Sequence, residues 1–262
     1  MEKKYPVSVC IVAFNEEKNI GACLEALSWA DDVIVVDSFS SDATVQICRQ
    51  FTPRVIQREW NGYLDQKTYA LGLAKHEWVL LMDADEVLTG DAVKEIKAEL
   101  DREDNTVDGY YIRRKLRYLG RWLRRGEWYP DYKLRLVRKS KSSIGGMEPH
   151  DSIRLAGKNV RHLKGEMLHY SYDNIADQMN TLNRYSSISA AEMHDKGVRL
   201  PLLRMLFHPA WRFFLVYFGR KGFLDGIPGF VIAVVNSFYV FLKYAKLWEL
   251  YLGDESSAGG EG

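Results

Sequence analysis

Two aspartates at the end of an apolar run are the residues whose types and spacing most directly indicate chemistry. Trp78–Met82 is a continuous apolar segment, and Asp83, Asp85 and Glu86 follow it at once. Such a run predicts a strand buried on both faces of a parallel sheet. In an extended chain Asp83 and Asp85 point to the same side, and two such carboxylates stay ionised only beside a positive charge. A divalent ion shared with substrate phosphates would supply that charge; a solvated loop that caps a helix at Thr89 is the alternative.

Alternating strands and helices precede this segment. Apolar, β-branched runs predict strands at 7–13, 33–36 and 54–57, and a helix is expected from Asp65 to Lys75. Strand–helix alternation is typical of an open parallel sheet with right-handed crossovers, which binds ligands at the carboxyl ends of its strands. No glycine-rich phosphate loop follows the first strand, so acids and a metal would have to hold a nucleotide. Polar residues at that edge are Asn15, Glu16, Asp37 and Asp42.

Charge is distributed unevenly along the 262 residues, although the formal net charge is only +1. Residues 77–108 contain eleven acids and three bases, whereas residues 113–141 contain twelve bases and two acids. An acidic site beside a basic surface suits an enzyme that holds a metal and meets an anionic partner. The basic run is interleaved with Trp128 and Tyr129, which favours sugar and phosphate contact over a merely solvated face. Nucleic acid is the competitor, and the acidic site and near-zero net charge argue against it.

The cysteines Cys10, Cys23 and Cys48 lack paired metal spacing and fall on a predicted strand and predicted helices. We expect buried free thiols in a reducing compartment. Residues 1–4 lead straight into the first strand, so no secretory signal is expected.

Three segments together resemble the nucleotide-binding half of a GT-A, family 2 glycosyltransferase. They occur in the family's order, on the expected elements: Val9–Glu17, Val35–Asp42 and Leu80–Glu86. The resemblance implies an α/β, GT-A fold with a Rossmann-like, mostly parallel sheet and a helical C-terminal extension that associates with a membrane.

The resemblance also implies roles for site residues. Asp37 would contact the ribose or base of a nucleotide sugar, in a pocket lined by Asn15 and Glu16. Asp83 near the ribose and Asp85 on the metal, Mg²⁺ or Mn²⁺, would form the DXD-type pair. The candidate substrate-binding residues are Ala13, Asn15, Glu16, Asp37, Asp42, Lys67, Asp83, Ala84, Trp128, Tyr129 and His150.

The segment Gly145–Asp151 is the candidate source of a general base. Similar family members that act on the lipopolysaccharide core carry a His–Glu pair where this sequence has His150 and Asp151. An inverting transfer needs a carboxylate that takes the proton from the attacking acceptor hydroxyl. Asp151 is the expected base, and Glu148 is its rival because both carboxylates fall near the same spot.

Two further residues have roles that the resemblance suggests. The segment Met167–Tyr172 resembles a strand end near the diphosphate, where His169 could be a further metal ligand; a core histidine is the alternative. Arg135 could stabilise the leaving diphosphate, whose developing charge needs cations besides the metal.

The C-terminal part of the chain is rich in apolar residues with Arg and Lys at the edges. Its apolar run Ile227–Leu242 has 16 residues and contains Pro228 and Asn236, whereas a membrane span needs about 20 apolar residues. We therefore expect two helices in the membrane interface, with a packed helical pair or a dimer interface as the alternatives. The stretch 222–249 also resembles the C-terminus of bacterial lipopolysaccharide-core glucosyltransferases.

These observations predict a GT-A catalytic domain over residues 1–180, with a nucleotide-sugar half (1–100) and an acceptor half (101–180). A helical region over 181–252 and a disordered tail over 253–262 follow. The expected activity is inverting transfer of a hexose, with glucose favoured, from a uridine diphosphate (UDP) sugar to an inner-core or other lipid-linked, phosphorylated saccharide. It would take place at the cytoplasmic face of the bacterial inner membrane. A polyprenyl-phosphate sugar transferase and a non-catalytic sugar-binding module are the alternatives.

Overall fold

The chain folds into two units, one built on a β-sheet and the other on helices. The computed structural model describes residues 6–102, 106–147, 150–170, 172 and 174–258, without the side chains of residues 147, 150, 151 and 255–258. The sheet unit comprises Met1–Leu116 and Asp131–Tyr170, and the helical unit comprises Arg117–Pro130 and Ser171–Gly262.

The sheet of the described residues has the strand order β3-β2-β1-β4-β8-β6-β11-β5, with β7 paired to β6, and β9 and β10 form a separate hairpin. The strands are β1 (Val7–Ala13), β2 (Asp32–Asp37), β3 (Val55–Gln57), β4 (Trp78–Asp83), β5 (Glu86–Leu88), β6 (Gly109–Tyr118), β7 (Arg121–Trp122), β8 (Asp131–Arg138), β9 (Ser142–Met147), β10 (His150–Leu155) and β11 (Val160–His169).

Strand direction divides the sheet into two parts. β1 is parallel to β2 and to β4, and β2 is parallel to β3. β8 is antiparallel to β4 and to β6, while β11 is parallel to β6 and antiparallel to β5. The predicted α/β fold is confirmed; its first part is parallel and its second part is mixed.

Helices cover both faces of the parallel strands, which explains their unbroken apolar runs. In β4, Trp78, Leu80 and Met82 belong to one buried cluster, and Val79 and Leu81 belong to the cluster on the other face. The strand expected to be buried on both faces is therefore confirmed. Cys10, Cys23 and Cys48 are buried and free, as expected.

Helices of the sheet unit are α1 (Ile20–Glu25), α2 (Thr44–Phe51), α3 (Tyr63–Leu73) and α4 (Gly90–Asp101). The Thr89 side chain accepts a hydrogen bond from the Ala92 N–H and so caps α4. The helical unit contains α5 (Ile175–Asp195), α6 (Pro201–Phe214) and α7 (Ile227–Ala258), with a π-helical turn at Leu215–Gly219 and a 3-10 turn at Gly222–Asp225 between the last two.

α7 packs on both α5 and α6. Its inner face joins α5 in a small apolar core that contains Ala190, Val240, Tyr244 and Leu247. Lys246 Nζ lies 2.7–2.9 Å from the carbonyl and side-chain oxygens of Asn183 and from the Ser186 and Ser187 hydroxyls. Polar contacts therefore fix the register between α5 and α7.

α7 is longer than the 16-residue apolar run that the sequence pattern indicated. The helix runs for 32 residues, because Pro228 falls in the first turn, where proline is tolerated. Further along α7, the Ser237 hydroxyl donates to the Pro209 carbonyl of α6. The stretch Ile227–Asp254 is long and apolar enough to cross a membrane, a property that buried core helices share. The helix also continues to Ala258, into the tail expected to be disordered, since one glycine at Gly253 costs only about 1 kcal/mol.

Candidate active site

β4 ends at Asp83, and the turn Ala84–Asp85 leads into β5. Because this turn interrupts the extended chain, the two aspartates have different partners. Asp83 contacts Lys67 and Arg135, whereas Asp85 contacts His169. Protein cations thus neutralise Asp83, a role for which the sequence pattern alone suggested a divalent ion.

Asp83 is held by two cations from different elements. Lys67 Nζ of α3 lies 3.0 Å from Asp83 Oδ1, and Arg135 Nη2 of β8 lies 2.6 Å from Asp83 Oδ2. Burial would raise the pKa of Asp83, but the charges of Arg135 and Lys67 outweigh it and hold that pKa well below its usual range. Asp83 is therefore a fixed anion at neutral pH.

Glu86 completes this ionic cluster and was not among the predicted site residues. Its side chain is fully buried, and Oε1 lies 2.5 Å from Arg135 Nη2 and 3.5 Å from Arg114 Nη1. Glu86 Oε2 accepts a hydrogen bond from the Asp83 N–H at 3.0 Å. Glu86 could be recognised in the sequence as the third acid after β4. Nothing in the sequence pointed to Arg114, because it reaches the cluster only through the pairing of β6 with β8. Arg114 also pairs with Asp131 at 2.7 Å.

The second pair of the site is Asp85 and His169. His169 Nε2 lies 2.9 Å from Asp85 Oδ2, and the Tyr170 N–H donates to the Asp85 carbonyl at 3.1 Å. The antiparallel register of β11 with β5 sets His169 opposite Glu86 and so brings together residues 84 positions apart. His169 is buried, and its Nδ1 has no hydrogen-bond partner within the described part of the chain.

A carboxylate is a ligand that Mg²⁺ and Mn²⁺ prefer, and a neighbouring imidazole nitrogen can add a further ligand to a transition-metal ion such as Mn²⁺. Among the described residues no cluster of three or more His, Cys, Asp or Glu side chains could hold a metal. Sites that bind Mg²⁺ together with a nucleotide commonly use only one or two protein carboxylates and complete the coordination with phosphates and water. Asp85 and His169 therefore fit a metal that is shared with a substrate.

Asn15 and Asp37 tie together the loops that follow β1 and β2. The Asn15 N–H donates to Ser40 Oγ, and Asn15 Oδ1 accepts from the Ser41 N–H, each at 2.8 Å. Asp37 is fully buried, and its Oδ2 accepts from the Ser40 N–H at 2.9 Å and from Gln57 Nε2 at 3.3 Å. Asp37 thus organises the loop that carries Ser40.

Glu16 and Asp42 link the same two loops. The Glu16 N–H donates to Thr44 Oγ1 at 2.8 Å, and the Glu17 N–H donates to Asp42 Oδ2 at 3.1 Å. Hydrogen bonds from Thr44 and Glu17 outweigh partial desolvation and lower the pKa of Asp42. The structure therefore brings Asn15, Glu16, Asp37 and Asp42 together at the carboxyl ends of β1 and β2.

Of the remaining predicted residues, Ala13 and Ala84 lie at this edge of the sheet. Ala13 ends β1, and Ala84 is buried in the turn after β4. Trp128 and Tyr129 belong to the helical unit, where the Trp128 ring lies 5.3 Å from that of Tyr118. His150 and Asp151 begin β10, but their side chains lie outside the described residues, as does the whole of Glu148. The roles of Trp128, Tyr129, Glu148, His150 and Asp151 stay predictions.

Comparison with known proteins identifies the family. The model of glycosyl transferase family 2 matches residues 8–157. An uncharacterised glycosyltransferase of Rickettsia typhi is 32% identical over 257 residues, which cover 94% of this chain and 88% of that protein. The lipopolysaccharide core biosynthesis glycosyltransferase LpsC of Rhizobium meliloti is 28% identical over 255 residues, 95% of this chain and 94% of LpsC.

Among solved structures, residues 1–349 of Staphylococcus aureus TarS share 24% identity and a TM-score of 0.41, over 52% of this chain and 47% of that one. The family model covers more than half of the chain, and the similarity to whole glycosyltransferases runs along almost its full length. The chain therefore belongs to glycosyl transferase family 2.

Proposed function

We propose that this glycosyltransferase transfers a hexose, with glucose favoured, from a UDP-sugar to a lipopolysaccharide inner-core or other lipid-linked saccharide, with inversion. One observation carries the proposal: Asp85, in the turn after β4, lies 2.9 Å from His169 at the end of β11, and Asp83, the last residue of β4, is held by two protein cations. Full-length similarity to LpsC supports the class of acceptor.

In this proposal Asp83 receives the donor's ribose. Lys67 and Arg135 each hold one of its carboxylate oxygens, so the group stays ionised and oriented before the nucleotide arrives. Arg135 is itself occupied by Asp83 and Glu86. We therefore assign it to positioning Asp83 and no longer to direct contact with the diphosphate. Asn15 and Glu16 would line the base pocket, and the fully buried Asp37 would hold the loop that carries Ser40 beside them.

Asp85 and His169 would hold Mg²⁺ or Mn²⁺. When bound, that ion supplies positive charge to the diphosphate leaving group. His169 is buried against Asp85, so its ring is already fixed at the ligand position. Preformed ligands of this kind avoid reorganisation when charge develops in the transition state.

The transfer itself needs a base on the acceptor side. Asp151 would accept the proton of the acceptor hydroxyl while that oxygen attacks the anomeric carbon. The bond to the UDP oxygen breaks on the opposite face, and the configuration inverts. Glu148 is the rival for this role. The acceptor would be presented at the cytoplasmic face of the inner membrane, with Trp128 and Tyr129 contacting saccharide.

The test is hydrolysis of a panel of nucleotide sugars with and without Mn²⁺ or Mg²⁺. We expect metal-dependent turnover of one UDP-sugar, and Asp85→Ala should lower it by at least about a hundredfold, as for loss of a group that stabilises transition-state charge. His169→Ala should reduce the factor by which the metal ion increases turnover of the UDP-sugar. Asp91→Ala is the matched control, because that acid is exposed on α4.

Turnover that is independent of both the metal and Asp85→Ala would contradict the proposed function, whereas binding of nucleotide sugars without any turnover would favour the sugar-binding module. A separate assay, transfer to a saccharide acceptor, tests which residue is the base. Asp151→Asn should abolish transfer and spare UDP binding, whereas loss in Glu148→Gln alone would move the role to Glu148. Transfer to polyprenyl phosphate in place of a saccharide would favour that alternative enzyme.

A further inference from the structure

α6 exposes an unusually large apolar face. None of its 14 residues is buried, and Trp211 is 68% exposed. Its exposed apolar residues recur every three or four positions and so share one side of the helix. Proteins rarely leave contiguous large apolar surface in water without a partner for it. The exposed side chains are Leu202, Leu203, Leu206, Phe207, Trp211 and Phe214, with Phe218 one turn further on.

The other side of α6 packs on α7. His208 Nδ1 lies 3.1 Å from the Tyr244 hydroxyl, and the Ser237 hydroxyl donates to the Pro209 carbonyl at 2.7 Å. The Phe213 ring lies 6.0 Å from that of Phe230. Because these contacts fix the rotation of α6 about its axis, the apolar face is held outward in the described part of the chain.

A basic loop is fixed beside the end of α6. The Asp225 carboxylate accepts hydrogen bonds from the N–H groups of Arg124 and Arg125, at 3.1 and 2.9 Å. The Gly126 N–H donates to the Arg220 carbonyl at 3.0 Å, and Arg220 Nη1 lies 2.5 Å from Glu127 Oε1. The loop 121–127 and the turn after α6 therefore form one rigid piece. Its exposed basic residues are Arg121, Arg124, Arg125, Arg220 and Lys221.

We propose that the apolar face of α6 and this basic loop form one docking surface for a membrane leaflet that carries anionic lipid headgroups, with α6 lying in the interface. Apolar residues would enter the acyl boundary while the arginines meet lipid phosphates. The charge of the basic loop favours an anionic membrane over a second copy of this chain. Two copies docked through this surface would bring their basic loops together and repel each other. The inference rests on the membrane partner of the proposed function and is independent of its sugar chemistry.

The contacts of α7 argue that α7 does not cross the bilayer. From Tyr239 onward it is bonded to the polar helix α5. Tyr239 lies 2.7 Å from Ser189, His194 Nε2 lies 2.8 Å from Asp254 Oδ2, and Lys246 contacts Asn183. A spanning α7 would carry these polar and charged groups into hydrocarbon, where they are costly. An interfacial position leaves them in water.

The test uses the full chain and co-sedimentation with two kinds of vesicle, pure phosphatidylcholine and an equimolar mixture with phosphatidylglycerol. We expect binding to the anionic vesicles only. Phe207→Glu with Trp211→Glu should abolish it, and Arg124→Glu with Arg125→Glu should weaken it at least about tenfold, at roughly 1 kcal/mol for each basic residue near the surface. Phe51→Glu and the pair Lys94→Glu with Lys97→Glu are matched controls, because they change exposed apolar and basic residues of the sheet unit.

Two outcomes would overturn the inference. Equal binding of the wild type and of the α6 double variant would exclude α6 as the docking element. A dimer by sedimentation velocity that Phe207→Glu with Trp211→Glu dissociates, without vesicle binding by the wild type, would assign the face to a second copy. Circular dichroism reports whether the α6 variant keeps its helices, and UDP-sugar hydrolysis reports whether the sheet unit, which carries no substitution, is folded. Vesicle binding without any hydrolysis would leave the docking surface standing and remove only the proposed function.

Discussion

At the scale of single residues, the most informative feature is the buried arrangement of Arg135, Asp83 and Glu86. A buried arginine is stable only when carboxylates compensate for its lost hydration. Asp83 and Glu86 raise the pKa of Arg135 above its usual value despite burial. The same contacts hold Asp83 at the edge of the sheet where the nucleotide is expected, so we expect stability and donor binding both to depend on this guanidinium.

Replacing Arg135 with Met should lower the free energy of unfolding by about 3 kcal/mol, because it leaves Glu86 buried without its nearest cation. Donor binding should weaken as well, since Asp83 loses one of its two partners. Urea unfolding and UDP titration measure the two effects.

Adding Glu86→Gln to Arg135→Met is the control, and it should recover part of the stability but not the UDP affinity. Wild-type stability in Arg135→Met alone would show that Arg114 suffices for Glu86 and that the ionic cluster does not depend on Arg135.

At the scale of elements, β11 positions His169 and is itself positioned by α4. Gly165 of β11 lies directly under the first turn of α4, where an added Cβ would come within 2.3 Å of Ala92 Cα. The Gly165 N–H also donates to Glu95 Oε2 at 2.8 Å. The absence of a side chain at this position lets the helix approach the strand closely.

Gly165→Ala should lower the free energy of unfolding by about 1–3 kcal/mol, the usual cost of overpacking, because backbone atoms of α4 must move. Thermal or urea unfolding measures it. Gly72→Ala is the matched control: an added Cβ at Gly72, near the end of α3, meets nothing within 4 Å, and helix propensity predicts a gain of up to about 1 kcal/mol. Equal effects of the two substitutions would exclude close approach as the reason for the glycine in β11.

At the scale of the whole molecule, acid stability depends on carboxylates that join elements distant in the chain. Asp32 at the start of β2 accepts hydrogen bonds from Ser8 Oγ at 2.9 Å and from Arg54 Nη1 at 2.5 Å. The Lys75 N–H lies 3.4 Å from the same carboxylate. Burial would raise the pKa of Asp32, but these hydrogen bonds and the charge of Arg54 lower it below 3.8.

The pKa of Asp32 is lower in the folded protein than in the unfolded chain, where it is 3.8. Its ionisation therefore contributes stability that is fully present above pH 3.8 and is lost as the pH falls towards the pKa of the folded protein. Asp32→Asn should therefore cost about 2 kcal/mol at neutral pH, as for a hydrogen bond to a charged group. That difference from wild type should shrink below pH 3.8, as measured by urea unfolding at a series of pH values. A difference that is constant down to the acid transition would show that the Asp32 pKa is not shifted.

The local sequence pattern was sufficient to predict the parallel part of the sheet and the acidic edge of the site. Runs such as Trp78–Met82 indicate strands because burial on both faces requires apolar residues at every position. Polar residues that directly follow those strands, Asn15 and Asp37 among them, meet because parallel strands end at one edge of the sheet. Secondary structure was harder to judge near Pro228, where the position of a proline within the first turn decides whether the helix continues.

The remaining contacts of the site depend on the order in which the strands pair, and that order is not a local property of the sequence. Arg114 and Arg135 reach the acids after β4 only because β8 pairs with both β4 and β6, and His169 meets Asp85 only because β11 is antiparallel to β5. Likewise, the sequence of α6 shows an amphipathic helix, but its packing on α7 determines which face stays in water. Composition and spacing thus define which groups the chain contains; contacts between distant segments determine which charges are neutralised, which carboxylate lies beside His169 and which apolar surface stays exposed.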